Sequence, residues 1–282
     1  MSDLQISRTI AEVRRATTDR KGAPMGFVPT MGALHAGHGS LIQRARSECE
    51  TVVVSIFVNP LQFGPGEDYE NYPRDLEADI FRAGQAGADI VFLPTSAELT
   101  DDGLSTTVTV AKISERLCGL QRPGHFSGVA IVVVKLFNIV HPDRAYFGEK
   151  DWQQLQLVRR LTADLNYPIE IIGVETVREE DGLALSSRNR YLNASERETA
   201  QRLPRALRAA AGLIEAGETD AREVALSFRE TIATGQELRL EYFSICLPDT
   251  LEPVDAIQGK TLLAGAIRVG KTRLIDNILV SP

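Results

Sequence analysis

Short apolar runs and stretches with a helical spacing of apolar positions take turns along the first part of the chain. Gly26 to Pro29 reads as a short apolar strand, Ser40 to Ser47 as the continuation of a helix opened by a glycine-rich turn, and Thr51 to Asn59 as a β-branched strand buried on both faces. Within Asp75 to Ala86 the apolar residues Leu76, Ile80 and Ala83 recur at helical spacing, and Ala88 to Leu93 supplies a third strand. Strand and helix have then alternated twice, which predicts a doubly wound α/β fold with a parallel sheet.

Gly128 to Val140 combines the β-branching of a strand with the length of a buried helix, and its length favours helix. Arg144 to Gly148 reads as a strand, Trp152 to Leu165 as an amphipathic helix with Leu155, Val158, Leu161 and Leu165 on one face, and Ile169 to Val177 as a further strand. The texture changes after Val177. A polar loop from Arg178 to Arg190 leads to Ser195 and Glu198, spaced as a capping box for a long helix to about Ala216, and a second helix covers roughly Ala221 to Ala233. Strand-like runs follow at Arg239 to Leu247, Thr261 to Val269 and Arg273 to Val280, the last two joined by the turn Gly270-Lys271. This later part reads as a smaller α+β module. A boundary at Glu175 to Glu180 divides the chain into domains 1–177 and 178–282.

Composition narrows the class. At 282 residues and 43% apolar content the chain is long enough for two domains. No apolar run approaches the roughly 20 residues that span a bilayer, and Met1 to Lys21 lacks the apolar core of a signal peptide, so a cytoplasmic protein is expected. A net charge of -7 argues against a surface that neutralises many nucleic-acid phosphates, yet permits a small anion in a local cationic pocket. Cys49, Cys118 and Cys246 are far apart with no CxxC spacing, which points to buried thiols and to neither a disulfide framework nor a zinc cluster.

The sharpest motif is Pro29-Thr30-Met31-Gly32-Ala33-Leu34-His35-Ala36-Gly37-His38, where the first strand hands over to the first helix. Backbone N–H groups and the positive helix end face the crevice of an open sheet there. Gly32 and Gly37 allow close approach of a phosphate, and a first helical turn places His35 and His38 on one side. A histidine pair at a helix start can also simply cap it; the glycines and the preceding strand favour the ligand reading, because HxGH at such a junction is the signature of the adenylyl-transferring nucleotidyltransferase superfamily. Gly148-Glu149-Lys150-Asp151 sits at a second strand end, where Lys150 offers a point charge for a phosphate and Asp151 either a helix cap or a partner that orients a donor. Ala184-Leu185-Ser186-Ser187-Arg188-Asn189 brings two hydroxyls and a guanidinium to the interdomain loop. Gly265 to Thr272 satisfies GxxxxGKT, but its interior is a β-branched strand and too few residues follow for a P-loop fold, so it reads as a hairpin.

HAGH, FVNPLQF (Phe57 to Phe63), YPR (Tyr72 to Arg74), RPGHFSGV (Arg122 to Val129), FGEKDWQQL (Phe147 to Leu155) and DGLALSSRN (Asp181 to Asn189) stand in the order found in the pantothenate synthetase family. The chain resembles that family, also called pantoate–β-alanine ligases, from about Val28 to Asn277. The resemblance implies a Rossmann-like amino-terminal domain, a smaller carboxy-terminal lid, ATP with Mg²⁺, and a homodimer. It further implies condensation of (R)-pantoate with β-alanine to pantothenate, AMP and pyrophosphate through a pantoyl adenylate.

Matched residue by residue, the resemblance assigns Pro29, Thr30, Met31, Gly32, Ala33, Leu34, His35, Ala36, Gly37 and His38 to ATP, with His38 the matched catalytic histidine. Gly148, Glu149, Lys150, Asp151, Val177, Leu185, Ser186, Ser187 and Arg188 match further ATP contacts. Gln62 and Gln154 match the pair that hydrogen-bonds pantoate, with Gln62 and Asn59 near the incoming β-alanine. His35, His38, Lys150 and Arg188 are the candidate cations where negative charge builds in adenylation. His125 sits in a motif and reads as structural, while His141 matches nothing and reads as a surface residue. Asp75 and Asp79 lie on one helical face near the YPR motif, a spacing that reads as a solvated helix side, and no metal ligand is assigned.

Where the family commonly has Tyr-Pro after Glu98-Leu99, this chain has Thr100-Asp101-Asp102-Gly103, a change that bears on loop geometry. A tRNA synthetase shares HxGH, but the acidic balance and the lack of an anticodon-binding extension oppose it. A catalytically silent nucleotide binder on the same scaffold is opposed by the intact His35, His38, Lys150 and Arg188.

Overall fold

A computed structural model of the chain describes residues 4–18, 23–101, 103–232 and 237–282. Asp102, Ala233 and part of the Met1 to Lys21 stretch lie outside these residues. Six strands form a parallel sheet: β1 (Gln5–Ser7), β2 (Met25–Thr30), β3 (Thr51–Ile56), β4 (Ile90–Phe92), β5 (Arg144–Gly148) and β6 (Glu170–Val174). The helices of this part are α1 (Ile10–Thr18), α2 (Ala36–Glu48), α3 (Leu76–Ala86), α4 (Ser96–Leu99), α5 (Cys118–Gln121), α6 (His125–Val140) and α7 (Trp152–Asp164). The strand order is β1-β4-β3-β2-β5-β6. The chain lays β3 and β4 to one side of β2 and then returns to put β5 and β6 on the other. That reversal opens a crevice at the carboxyl ends of β2 and β5, where the Pro29 to His38 and Gly148 to Asp151 motifs both begin.

Burial on both faces explains the apolar strands. Val53 joins Phe27, Phe92, Phe137, Leu155, Val158 and Leu161 in one core, while its neighbours Val52 and Val54 join Val28, Leu41, Ile42, Ala83 and Tyr146 in the other. Successive side chains point to opposite faces, so a strand covered on both must be apolar throughout. The β-branched run of α6 is helical because the helix is buried almost all round, with residues from Phe126 to Val140 in the first core.

The remainder carries α8 (Ala194–Ala200), α9 (Arg202–Glu215), α10 (Ala221–Ile232) and an antiparallel sheet of β7 (Leu238–Cys246), β8 (Thr261–Val269) and β9 (Thr272–Val280). Leu203, Leu207, Ile214, Phe228, Leu263 and Ile267 close a core of their own between helices and sheet. Gly265 to Val269 lies inside β8, Val269 pairs with Thr272, and Gly270 turns the chain at φ +54°. The GxxxxGKT segment is therefore a hairpin.

Several expectations need correction. β3 ends at Ile56, short of Asn59, because Asn59 accepts the Leu61 N–H and starts the 3₁₀ turn Pro60–Gln62. β6 is shorter than Ile169 to Val177. Leu165 follows α7 and is exposed. The capping box is formed by Asn193 and Glu196, two residues before Ser195 and Glu198. The long helix is broken at Gln201 into α8 and α9, where Pro204 in the first turn of α9 has no N–H to continue the ladder. β1 and α1 escape the pattern reading altogether. Among the described residues, no helix is long and apolar enough to cross a membrane.

Candidate active site

At the end of β2 the backbone folds back on a buried carboxylate. Asp79, on the first turn of α3 and 2% exposed, accepts the N–H of Ala33 through Oδ2 and that of Leu34 through Oδ1, both at 2.7 Å. The sequence pattern placed Asp79 on a solvated helix face; the loop it holds is the reason it is buried instead. Gly32 adopts φ +83° and a Cβ there would stand 2.9 Å from Asp79 Oδ2, so this position admits glycine alone without strain. Asp75 is the exposed N-cap of α3 and accepts from Ala78 N–H. Ala33 and Leu34 thus commit their N–H groups to Asp79, away from the crevice.

His35 and His38 begin α2 as a reciprocal cap. His35 Nδ1 accepts the Gly37 N–H at 3.2 Å, and His38 Nδ1 accepts the His35 N–H at 3.3 Å. With each Nδ1 acting as acceptor, the neutral ring carries its proton on Nε2. Burial and the nearby Lys150 hold the His35 pKa down to about 4. Burial, then His35 and Lys150, hold that of His38 down to about 3. Both histidines are therefore neutral donors at pH 7, a correction to their expected role as cations. Gly37 is needed because a Cβ would come within 3.0 Å of the His35 ring.

Across the crevice, β5 delivers the 3₁₀ turn Glu149–Asp151. Lys150 lies 3.8 Å from Asp151 Oδ2, and Asn277 on β9 donates from Nδ2 to the carbonyls of both Glu149 and Lys150 at 2.9 Å. Asp151 precedes α7 without capping it through its side chain, so of its two expected roles the cap is not the one it fills. From the other direction, Leu185 N–H bonds the Val177 carbonyl at 2.9 Å, and Ser186 to Arg188 line the crevice with the histidines. Arg188 makes a fork with Asp68, Nε to Oδ2 at 2.9 Å and Nη2 to Oδ1 at 2.8 Å, and sits over the Tyr72 ring. Burial opposes ionisation of Asp68, but the hydrogen bonds from Arg188 outweigh it and hold the carboxyl below its usual range.

A crevice of about 250 Å³ joins these groups to a second set. Gln62 ends the 3₁₀ turn Pro60–Gln62, its Oε1 accepting from Asn59 Nδ2 at 3.0 Å while its Nε2 faces Met31 Sδ. Asn59 is 2% exposed and also donates to the Gly128 carbonyl, so its amide is committed to holding the turn. Gln154 from α7 lines the same crevice as Gln62, and Val129, Val132, Val133 and Leu136 on one side of α6 supply an apolar wall. A larger cleft of about 990 Å³, reaching the β8–β9 hairpin, shares Lys150, Asp151, Gln154, Ser186 and Arg188 with the first. Cationic and hydroxyl groups are thus set beside two amides and an apolar wall at the switch point of the sheet.

Residues 5–279 match the family model described as pantoate-beta-alanine ligase. The chain belongs to the pantoate–β-alanine ligase family. Among its relatives, the pantothenate synthetase of Moorella thermoacetica is 51% identical over 279 residues, spanning 98% of this chain and 99% of the relative. The crystal structure of pantothenate synthetase from Thermus thermophilus superposes with a TM-score of 0.94 at 47% identity, covering 99% of this chain and 100% of that one. The ligase of Francisella tularensis, solved complexed with beta-gamma ATP and beta-alanine, gives 0.81 at 36% identity over 98% and 97% of the two chains.

Of the residues assigned by resemblance to this ligase family, Pro29, Thr30, Met31, His35, Gly37, His38, Gly148, Lys150, Asp151, Val177 and Leu185 to Arg188 line the smaller crevice, as do Asn59, Gln62 and Gln154. Gly32, Ala33 and Leu34 turn to Asp79, Ala36 does not line it, and the Glu149 side chain lies against Gly173 of β6. His125 is half-buried in contact with the Gln62 carbonyl, and His141 is exposed. The supporting residues Asp79, Asp68, Glu67, Arg122 and Asn277 went unassigned in the sequence. Arg122 opens the RPGHFSGV motif and Glu67 lies between FVNPLQF and YPR, but only their pairing across 55 residues reveals a role.

Proposed function

We propose that this ligase uses ATP to condense pantoate with β-alanine, giving pantothenate, AMP and pyrophosphate through a pantoyl-adenylate intermediate. The reading rests on one observation: Lys150, the His35 and His38 donors and Ser186 to Arg188 share a crevice with Gln62, Gln154 and the apolar side of α6. The ATP and β-alanine of the Francisella tularensis complex support both ligands for this chain. Pantoate carries a carboxylate, hydroxyls and a pair of methyl groups, which suit two amides beside an apolar wall.

A pantoate carboxylate oxygen attacks the α-phosphorus of ATP, forming the acyl phosphate bond as the bond to pyrophosphate breaks. Negative charge grows on the α-phosphoryl oxygens and on the leaving group. Lys150 meets it as a cation, and the two imidazoles meet it as neutral donors, each contribution worth a few kcal/mol when preorganised. Arg188 joins them on exchanging Asp68 for a phosphate. The neutral β-alanine amine then attacks the acyl carbon, the carbon–oxygen bond to AMP breaks, and the amine proton passes to solvent. Positioning by Gln62 and Gln154 drives this second step, and no side-chain nucleophile takes part.

Mg²⁺ accompanies ATP in this reading. Among the described residues no three His, Cys, Asp or Glu converge to hold a metal, so the ion would rest chiefly on the nucleotide's phosphates, with Asp151 a carboxylate on the crevice wall. There, beside Asp151 and Glu175, which both line the crevice wall, it would neutralise phosphate charge. The proposal also takes 178–282 as a lid closing over 1–177, in a cytoplasmic homodimer.

The test is isotopic. Pantoate labelled with ¹⁸O in its carboxylate should transfer one label to AMP, since the acyl carbon–oxygen bond breaks in the second step. Unlabelled AMP would rule the adenylate out.

A further inference from the structure

The carbonyl of Gln62 is held by two side chains that line the crevice beside it, Arg122 and His125. His125 Nδ1 lies 2.8 Å from it and Arg122 Nη2 3.0 Å. Arg122 is in turn gripped by Glu67, from Nε at 2.7 Å and Nη2 at 2.5 Å, and Glu67 also accepts the Gly64 N–H. Arg122 Nη1 stands 3.0 Å from His125 Nε2. A guanidinium can only donate, so His125 Nε2 accepts and the proton of the neutral ring sits on Nδ1, aimed at the Gln62 carbonyl. Burial and the Arg122 charge keep the ring neutral, with a pKa near 4.

The turn is pinned from below as well. A Cβ at Gly128 would collide with the Leu61 carbonyl, so the Pro60–Gln62 turn rests directly on the first turns of α6. Asn59 occupies the Gln62 amide oxygen, which leaves the Gln62 amide nitrogen as the group offered to the crevice. Its present partner, Met31 Sδ, is a weak acceptor that a substrate oxygen can replace.

We propose that His125 and Arg122, the latter oriented by Glu67, are positioning residues for the acid substrate: they fix the Gln62 backbone so that its amide presents N–H donors to the substrate's oxygens. The inference rests on the reading of this crevice as the pantoate site. It explains why the Arg122 to Val129 segment belongs with Gln62 although neither Arg122 nor His125 is needed to touch ATP. His125 acts through one ring nitrogen, so its replacements separate positioning from mere packing. Asparagine places an amide N–H where Nδ1–H stood; glutamine places one near Nε2, where an acceptor is required.

The experiment measures pyrophosphate exchange with the full-length enzyme, varying pantoate and ATP separately, for H125N, H125Q, H125A, E67Q and, as control, Q62A. Circular dichroism melting accompanies each. H125A and H125Q should raise the pantoate KM about tenfold, the loss of a hydrogen bond left unmade, with the ATP KM within about twofold. H125N should recover most of that loss, and E67Q should fall between. ¹⁵N NMR of the wild type should show the Nδ1–H tautomer of His125. An Nε2–H tautomer, equal impairment in H125N and H125A, or KM values for both substrates rising together would overturn the inference. If Q62A left the pantoate KM unchanged, the crevice reading itself would fail; if Q62A were impaired and H125A were not, only the positioning role would fail.

Discussion

Asp79 accepts the Leu34 N–H at 2.7 Å across 45 residues of sequence, and by holding the backbone there it sets the point from which the His35 cap begins. The helix that supplies Asp79 is thus part of the nucleotide end without touching the crevice. Asp79→Asn would turn an amide donor towards one of two backbone N–H groups. The expected loss is about 1–3 kcal/mol of stability in urea denaturation, with a raised ATP KM. An unchanged midpoint would show that the loop holds its shape unaided. Gly32→Ala should behave similarly, because its φ of +83° and the contact with Asp79 both resist a side chain.

Stability should fall with acid earlier than carboxylates alone would dictate. His35, His38 and His125 have folded pKa values of about 4, 3 and 4 against 6.5 for the free side chain. Above pH 6.5 both folded and unfolded states hold them neutral and their contribution is complete. As pH drops through 6.5 the unfolded chain takes up protons that the folded chain refuses, and stability is lost down to the folded values. The slope approaches ~1.4 kcal/mol per pH unit for each histidine. Glu67 and Asp68, held low by Arg122 and Arg188 against the pull of burial, add their loss as the pH falls through the ordinary carboxylate range and below it. Chemical denaturation between pH 7 and 5 reads the histidines alone, and H125N should flatten the slope. A flat wild-type profile in that window contradicts their burial as neutral groups.

On the proposed function, Asp68 competes with phosphate for Arg188. Neutralising it as Asp68→Asn should release the guanidinium and tighten ATP binding about fivefold, the equivalent of ~1 kcal/mol for a partly exposed pair. Calorimetric titration checks this. Weaker binding would mean that Asp68 helps to build the nucleotide site.

Lys150 and Lys271 offer a contrast between a crevice lysine and a hairpin lysine. Lys150→Ala removes a positive charge from where negative charge develops and should slow adenylation about a hundredfold. Lys271→Ala, in the turn between β8 and β9, should leave turnover and ATP affinity within about twofold. Reversal of that order would move the nucleotide site to the hairpin.

Much of the architecture was legible because strong patterns carry it. Arg144 to Gly148 and Thr261 to Val269 were bounded as strands by their turns, and α6 was separated from a strand by its length. β1 was not, since three residues at the sheet edge, with only Ser7 buried, carry no period. Ser195 and Glu198 satisfy the capping-box spacing as well as Asn193 and Glu196 do, and only the position of the Pro204 break and the preceding turn decides between them. The crevice residues were visible as motifs. Their supports were not: Asp79, Asp68 and Glu67 are ordinary acids locally, and their meaning comes from partners 46, 120 and 55 residues away. The two histidines were legible as a pair but not as neutral donors, because their charge state is fixed by burial and by Lys150.

The most direct measurement of the central claim is exchange of labelled pyrophosphate into ATP by the purified enzyme with pantoate present and no amine added. An adenylate formed in a separate first step can return to ATP by attack of labelled pyrophosphate. The account predicts that label enters ATP only when pantoate is supplied, and that β-alanine is not required. Exchange that depended on β-alanine, or that ran without pantoate, would contradict the two-step scheme.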